Sequence, residues 1–386
     1  MTSINQNEKK RHLFLCLFLL IFVLASCSNE NHSRNQSEAG HHETINKNNE
    51  PSPAAEKELK TPISIDNGEI QEVCGWLDNE TILYMTSTGL GSNIYTYDIY
   101  KGESSLFFAS KAPAAAVIVS PSGKYILVQS APSTYEGILT ILNTDGKEVM
   151  TERIPAVEFN IVWNPYDETR LFISAFSEDW EFTSYEMNIG KKILAQLPIK
   201  EPFAYWTGEN EMVYLSWENR DLALFAPLMK FEVSTQREEK VMDDIFYFKA
   251  VKDVVMAISI PEEPGDTALY SFFANSLGKI SEWSVPVLTE FSGWLVPYFD
   301  FDDHGRFYSF QPLYSGEADT YMDRFQLISF EPANGERKII NDQLENEPIS
   351  CSPNGKLCLY GFYFEKIINM ETNQILPLTE EITEKG

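Results

Sequence analysis

Apolar and polar residues alternate in short blocks along most of this chain, and the clearest block reads strand, turn, strand. Val117-Ile118-Val119 is followed by Ser120-Pro121-Ser122-Gly123-Lys124 and then by Tyr125-Ile126-Leu127-Val128. The flanks are β-branched or aromatic, as a half-buried strand prefers. Pro121 presets φ at the first turn position, and Gly123 accepts a positive φ before the chain reverses. Residues 137–143 supply a third strand, Thr144-Asp145-Gly146-Lys147 a second turn, and residues 148–153 a fourth strand. The pattern predicts one four-stranded antiparallel meander.

The same unit recurs. The last apolar position before the first turn falls at Trp76, Val119, Trp163, Trp206, Phe248, Phe301 and Cys351, at spacings of 43, 44, 43, 42, 53 and 50. Two residues earlier stand Cys74, Val117, Ile161, Ala204, Phe246, Phe299 and Ile349, all apolar and all on the same strand face. An apolar second strand follows in every unit, and no amphipathic helix of ten or more residues is evident between Thr61 and Glu381. A period near 45 with four strands per unit is the signature of an all-β, β-propeller fold, in which radial repetition removes long exposed sheet edges. The count is seven blades. Six is the alternative, if one unit is an excursion or the last closes the first. The fourth unit is the weakest, because Pro227 falls where its third strand belongs and demotes that strand to an edge or a bulge.

The chain has 386 residues and a formal charge of −27, from 30 basic and 57 acidic side chains. Such a surface repels phosphate backbones, so nucleic acid is not an expected partner. The first residues break the β pattern. Lys9-Lys10-Arg11 precedes an unbroken apolar run over residues 13–24, too short to span a bilayer comfortably and suited to a signal-peptide core. Leu24-Ala25-Ser26-Cys27 follows and resembles the lipobox of bacterial lipoproteins. That resemblance implies removal of residues 1–26, a diacylglyceryl group on Cys27, and attachment to the outer face of the cell membrane. Two acyl chains give stable anchoring where one alone is marginal. Residues 27–60 are rich in Asn, Glu, Ser and Lys and carry too little apolar surface to fold, so they read as a tether ahead of a propeller over residues 61–386.

Histidine is scarce where chemistry would need it. Of His12, His32, His41, His42 and His304, only His304 lies in the expected propeller, inside the turn Asp302-Asp303-His304-Gly305. A nucleophile–histidine arrangement needs an oriented imidazole. No G-x-S-x-G elbow, H-E-x-x-H, C-x₂-C pair, P-loop or dinucleotide fingerprint is present, nor a D-x-D-x-D-G calcium loop. No catalytic residue, metal site or cofactor is therefore expected. Beyond Cys16 and Cys27, three cysteines remain. Cys74, Cys351 and Cys358 occupy columns that other units fill with Val, Ile or Phe, which makes them core thiols. The alternative is a bridge from Cys74 to Cys351 or Cys358, stapling the first blade to the last. Cys351 and Cys358 lie on the two arms of one hairpin and read as out of register by about one residue, which disfavours a bridge between them.

The connections between second and third strands are the longest and all emerge on one face. They carry Tyr135, Trp180, Trp217, Tyr314 and Tyr321 beside carboxylates such as Glu136, Glu178, Asp179, Glu218, Glu262, Glu263, Asp266 and Asp323. Aromatic rings beside carboxylates stack on sugars, hold cations or anchor protein interfaces. A carboxylate pair is also the equipment of a glycosidase.

The Ser-Pro-x-Gly-Lys turns at residues 120–124 and 352–356 are similar to those of TolB-type and prolyl-oligopeptidase-type propellers. Tyr205-Trp206-Thr207-Gly208 looks like a YWTD propeller signature but occurs once. With the lipobox and tether, the whole chain resembles the YqgU-like bacterial lipoproteins, a propeller family described as six-bladed that supplies no catalytic residues to carry over. The expected role is a membrane-anchored, extracytoplasmic, non-catalytic binding module for an envelope protein or glycan. The alternatives are a carboxylate-based glycosidase or lyase acting on envelope glycan, and capture of a small solute in the channel.

Overall fold

The structure, a computed structural model, describes residues 57–65, 69–218, 223–261, 265–291 and 293–380. Cys27, His41 and His42 lie outside them, as do Glu262 and Glu263. The packed unit spans Glu56–Gly386.

Seven four-stranded antiparallel sheets follow one another along the chain, six built from four consecutive strands and blade six interrupted by the short strand Gly316–Glu317 between its second and third strands. Blade one opens with Ile70–Trp76, blade two with Ala114–Val119, blade three with Glu158–Trp163 and blade four with Ala204–Trp206. Blades five, six and seven open with Tyr247–Val251, Phe299–Phe301 and Ile349–Cys351. The β-propeller and its strand order are as the repeat predicts. The second strands are the driest: Ile82, Ile126, Leu171, Met212, Val255, Phe307 and Cys358 are all fully buried. They fill the spaces between neighbouring sheets, where burial of apolar area supplies most of the stabilisation.

Because each sheet is contiguous, closure of the ring rests on side chains and on the entering segment. One apolar cluster joins Val73, Trp76 and Tyr84 of blade one to Leu357, Leu359 and Ile367 of blade seven. The segment before blade one adds a clasp. Lys60 donates its N–H to the carbonyl of Ile99, at the end of the third strand of blade one (2.7 Å), and Ile63 donates to the carbonyl of Leu378, past the last strand of blade seven (2.8 Å). Ile63 is itself buried against Leu378.

Two sequence expectations need correction. Cys351 and Cys358 stand directly opposite one another in the first two strands of blade seven, and they form a disulfide. The hairpin closes one step nearer the turn, where Ser352 N–H donates to Leu357 O (2.8 Å), so the flanking pair is in register and not offset by one. Cys74 is the free thiol, and it occupies a bulge between Val73 and Gly75 that lifts it out of the regular pairing. In blade five the first strand continues past Phe248 to Val251 and closes on Val254 through a two-residue turn. The position equivalent to Trp206 is therefore Ala250, not Phe248. Pro227 lies within the third strand of blade four, Ala226–Glu232, and its missing N–H falls at a bulge opposite the fourth strand.

Candidate ligand face and channel

In a meander of this kind the first and third turns of every blade emerge on one face, and the loops after the second and fourth strands on the other. The turn face is wired together. Glu168 of blade three accepts hydrogen bonds from Ser120 Oγ (3.0 Å) and Ser122 N–H (2.8 Å) in the turn of blade two. Asn79 of blade one accepts from Asn354 N–H in the turn of blade seven (2.8 Å). Asn164 of blade three donates to Glu209 O of blade four (3.1 Å). Gly123 packs so closely that a Cβ there would meet Leu77 O at 2.6 Å, and its φ is 73°. This is the reason for glycine in the Ser-Pro-x-Gly-Lys turn. Asp302 behaves likewise in blade six, where it accepts from the N–H groups of His304 and Arg306. His304 thus sits in a structural turn, as its sequence context predicts.

The loop face differs in kind. Among the described residues, every strongly exposed large apolar side chain outside the strands lies on it: Leu90, Tyr135, Trp180, Phe203, Trp217, Leu224, Phe291, Tyr298, Leu313, Tyr314, Met322, Phe362 and Tyr363. Three short strands, Leu288–Glu290, Gly293–Trp294 and Gly316–Glu317, pair across this face between blades five and six. They form a raised platform beside Phe291, Tyr314 and Met322.

The five aromatic residues singled out from the sequence are all on this side, in four settings. Trp180 is 67 % exposed and meets Phe176 edge-on, with ring centroids 6.1 Å apart. Phe176 in turn contacts Phe203. Trp217 donates its backbone N–H to the Glu201 carboxylate (2.6 Å). Burial raises the Glu201 carboxyl above its ordinary range. Tyr135 donates to Glu178 across from blade two to blade three (2.9 Å), a bond that also raises the phenol. Tyr314 donates to Asp323 and packs against Tyr321, with centroids 5.2 Å apart. Tyr321 is partly buried, accepting from Leu313 N–H (2.9 Å) and packing at a tilt against Phe325, so it shapes the loop more than it presents a surface. The carboxylates of the face are spread around its rim. Glu136 pairs with Arg153, and Glu218 with Lys200. No group of three or more metal-ligating side chains occurs among the described residues.

Sequence reasoning missed a second feature. The residue just before each inner anchor falls at Gly75, Ile118, Val162, Tyr205, Lys249, Asp300 and Ser350. Four positions of this ring are small or aliphatic, and blades four to six supply Tyr205, Lys249 and Asp300. The Lys249 ammonium lies over the Tyr205 ring, 4.4 Å from its centroid. Asp300 accepts the N–H of Cys351 in blade seven (2.7 Å). Loss of water around Asp300 pushes its carboxyl up to about 6, against the opposing pull of that hydrogen bond and of Lys249. A cavity of about 490 Å³ opens beside these residues, walled by Trp163, Tyr205, Trp206 and Phe301, with Lys249, Lys252, Asp302 and Asp303 among its polar groups. A smaller one of about 270 Å³ adjoins it and takes in Cys74 and Cys351. Burial, with Glu72 nearby, raises the Cys74 thiol and keeps it protonated.

Comparisons with known proteins agree on a β-propeller, although the family description counts six blades where seven four-stranded sheets stand here. The chain is 27 % identical over 368 residues to the uncharacterized lipoprotein YqgU of Bacillus subtilis (strain 168), covering 95 % of this chain and 96 % of that one. It superposes on the crystal structure of the uncharacterized protein lmo1340 from Listeria monocytogenes EGD-e with a TM-score of 0.77, at 23 % identity, over 86 % of this chain and 100 % of that one. The β-propeller domain of the Trilobed protease from Pyrococcus furiosus matches in fold, with a TM-score of 0.53 and 13 % identity over 79 % of this chain and 96 % of that one. A family model described as the YqgU-like 6-bladed beta propeller domain matches residues 98–361. That span starts at the end of the third strand of blade one and stops just after the second strand of blade seven, so it holds five whole blades and parts of two more. The chain belongs to the YqgU-like β-propeller family.

Proposed function

We propose that this protein is a lipid-anchored, extracytoplasmic propeller that binds a protein partner of the cell envelope through its loop face. The anchor rests on Leu24-Ala25-Ser26-Cys27 and on a lipoprotein relative aligned over nearly the whole chain. The observation that carries the binding role is the segregation of exposed apolar side chains. Phe291, Met322, Leu90 and Trp180 stand out on one face, while the other face binds its own turns together. Rigid scaffolds place recognition on their varied loops, and central aromatic anchors dominate interface energies. Lys57, the first described residue, pairs with Glu80 on the turn face.

Photo-crosslinking in living cells tests this reading. A photoreactive phenylalanine analogue replaces Trp180, Tyr314 or Met322 on the loop face, and Asp145 or Lys124 on the turn face. Discrete adducts are expected from the loop-face set alone. Adducts of equal yield from both sets, or none from the loop face, would sink it.

A further inference from the structure

We propose that the larger channel cavity binds a small organic carboxylate, with the Lys249 ammonium as its counter-ion and the Tyr205 and Trp206 rings as its apolar seat. This site is independent of the loop face. The cavity, at about 490 Å³, falls within the range of pockets that enclose small molecules, and its walls are mostly aromatic or aliphatic, with two lysines and three carboxylates among them.

Lys249 is the reason for choosing an anion. The chain has 57 acidic residues against 30 basic ones, and most described lysines sit beside a carboxylate. Among the described residues no carboxylate lies within 4.0 Å of the Lys249 ammonium; its close neighbour is the face of Tyr205. A cation held over a ring keeps its charge and its N–H donors for a third group.

The acidic side chains near the cavity do not take that place. Asp302 is spent on its own turn: it accepts from His304 N–H, Arg306 N–H and Tyr308 O–H. Glu168 is spent on Ser120 and Ser122. Asp300 is turned toward Cys351 N–H. Asp303, at the rim, has Lys252 beside it. One indole of the wall differs from its equivalents. The indole N–H groups of Trp76 and Trp206 bond to carbonyls of the preceding blade, Ser350 O (2.8 Å) and Val162 O (3.3 Å). The equivalent N–H of Trp163 is buried without an acceptor.

The test is a titration of the purified mature lipoprotein followed by tryptophan fluorescence, since Trp163 and Trp206 line the cavity. Benzoate and glucuronate are the carboxylate probes, with benzamide and glucose as their neutral counterparts. At least one carboxylate is expected to saturate the signal and to bind at least fivefold tighter than its neutral counterpart. Lys249→Met should weaken it tenfold or more and erase that preference, Lys249→Arg should restore most of it, and Lys200→Met on the loop face should change nothing. Absence of a saturable response to both carboxylates overturns the proposal. So does a preference that survives in Lys249→Met with the fold intact by circular dichroism.

Discussion

The indole of Trp76 donates its N–H to the carbonyl oxygen of Ser350 at 2.8 Å, and this bond crosses from the first blade to the last. It belongs to a set of three equivalent tryptophans, of which Trp163 makes no such bond. A net hydrogen bond contributes about 1 kcal/mol, and a buried carbonyl left without its donor costs more. Trp76→Phe is therefore expected to lower stability by about 1–3 kcal/mol, and Trp163→Phe, which removes no hydrogen bond, by clearly less. Urea unfolding of the two variants side by side checks this. Equal losses would mean that ring packing, and not the interblade bond, sets the value of this position.

The disulfide joins residues 351 and 358 within one hairpin, so it leaves the two ends of the ring unlinked by covalent chemistry. Denaturing alkylation of the folded domain without reductant should label one thiol, Cys74, and three after reduction. Three labelled thiols at the outset would remove the bridge. Closing so short a loop restricts the unfolded chain only modestly, and its loss should cost about 2 kcal/mol.

Asp300 gives the channel a pH dependence. An unfolded aspartate titrates near 4, whereas burial holds the folded Asp300 carboxyl at about 6. The folded state thus binds this proton more tightly than the unfolded state does. The stability that follows is fully present below about pH 4 and is lost as pH rises through about 6. Asp300→Asn keeps an oxygen acceptor for Cys351 N–H without the charge. It should be more stable than the parent at pH 8 and converge with it toward pH 4.5, as read from urea midpoints. A pH-independent difference would show that Asp300 titrates normally.

Much of this molecule is legible in its sequence because each blade is local. Strands close in sequence pair through tight first and third turns, so the apolar columns repeat near the spacing of the blades, and the loop-face aromatics follow from where the longer second connections fall. The polar ring of the channel is not legible in the same way. Tyr205 and Lys249 keep the common spacing, but the platform strands between blades five and six push Asp300 to 51 residues beyond Lys249. Choosing Phe248 as the anchor of blade five also put Lys249 toward the turn, because the two-residue closure at Val251 and Val254 carries no glycine or proline to mark it. The cysteine pairing was misread for a related reason: register depends on which residues close a turn, and a one-residue change in that choice moves every side chain to the other face.

Trp180 carries the sharpest test of the loop face. Its backbone is left-handed, with φ 62°, at the end of a tight loop closed by Trp180 N–H to Ser177 O (3.0 Å) and Ser177 N–H to Glu181 O (2.8 Å). Glycine is the natural occupant of that position, and a bulky residue there costs on the order of 1 kcal/mol. The ring recovers little of this by burial, since it is 67 % exposed. Strain kept at an exposed aromatic points to use of the ring by something outside the chain. Trp180→Gly is accordingly expected to leave stability unchanged or raise it by up to about 1 kcal/mol, while weakening partner capture tenfold or more when combined with Trp217→Ala. Thermal unfolding and the yield of crosslinked adduct from Tyr314 measure the two halves of this statement. A marked loss of stability would make Trp180 part of the core through Phe176, and an undiminished adduct would move the contact away from blades three and four.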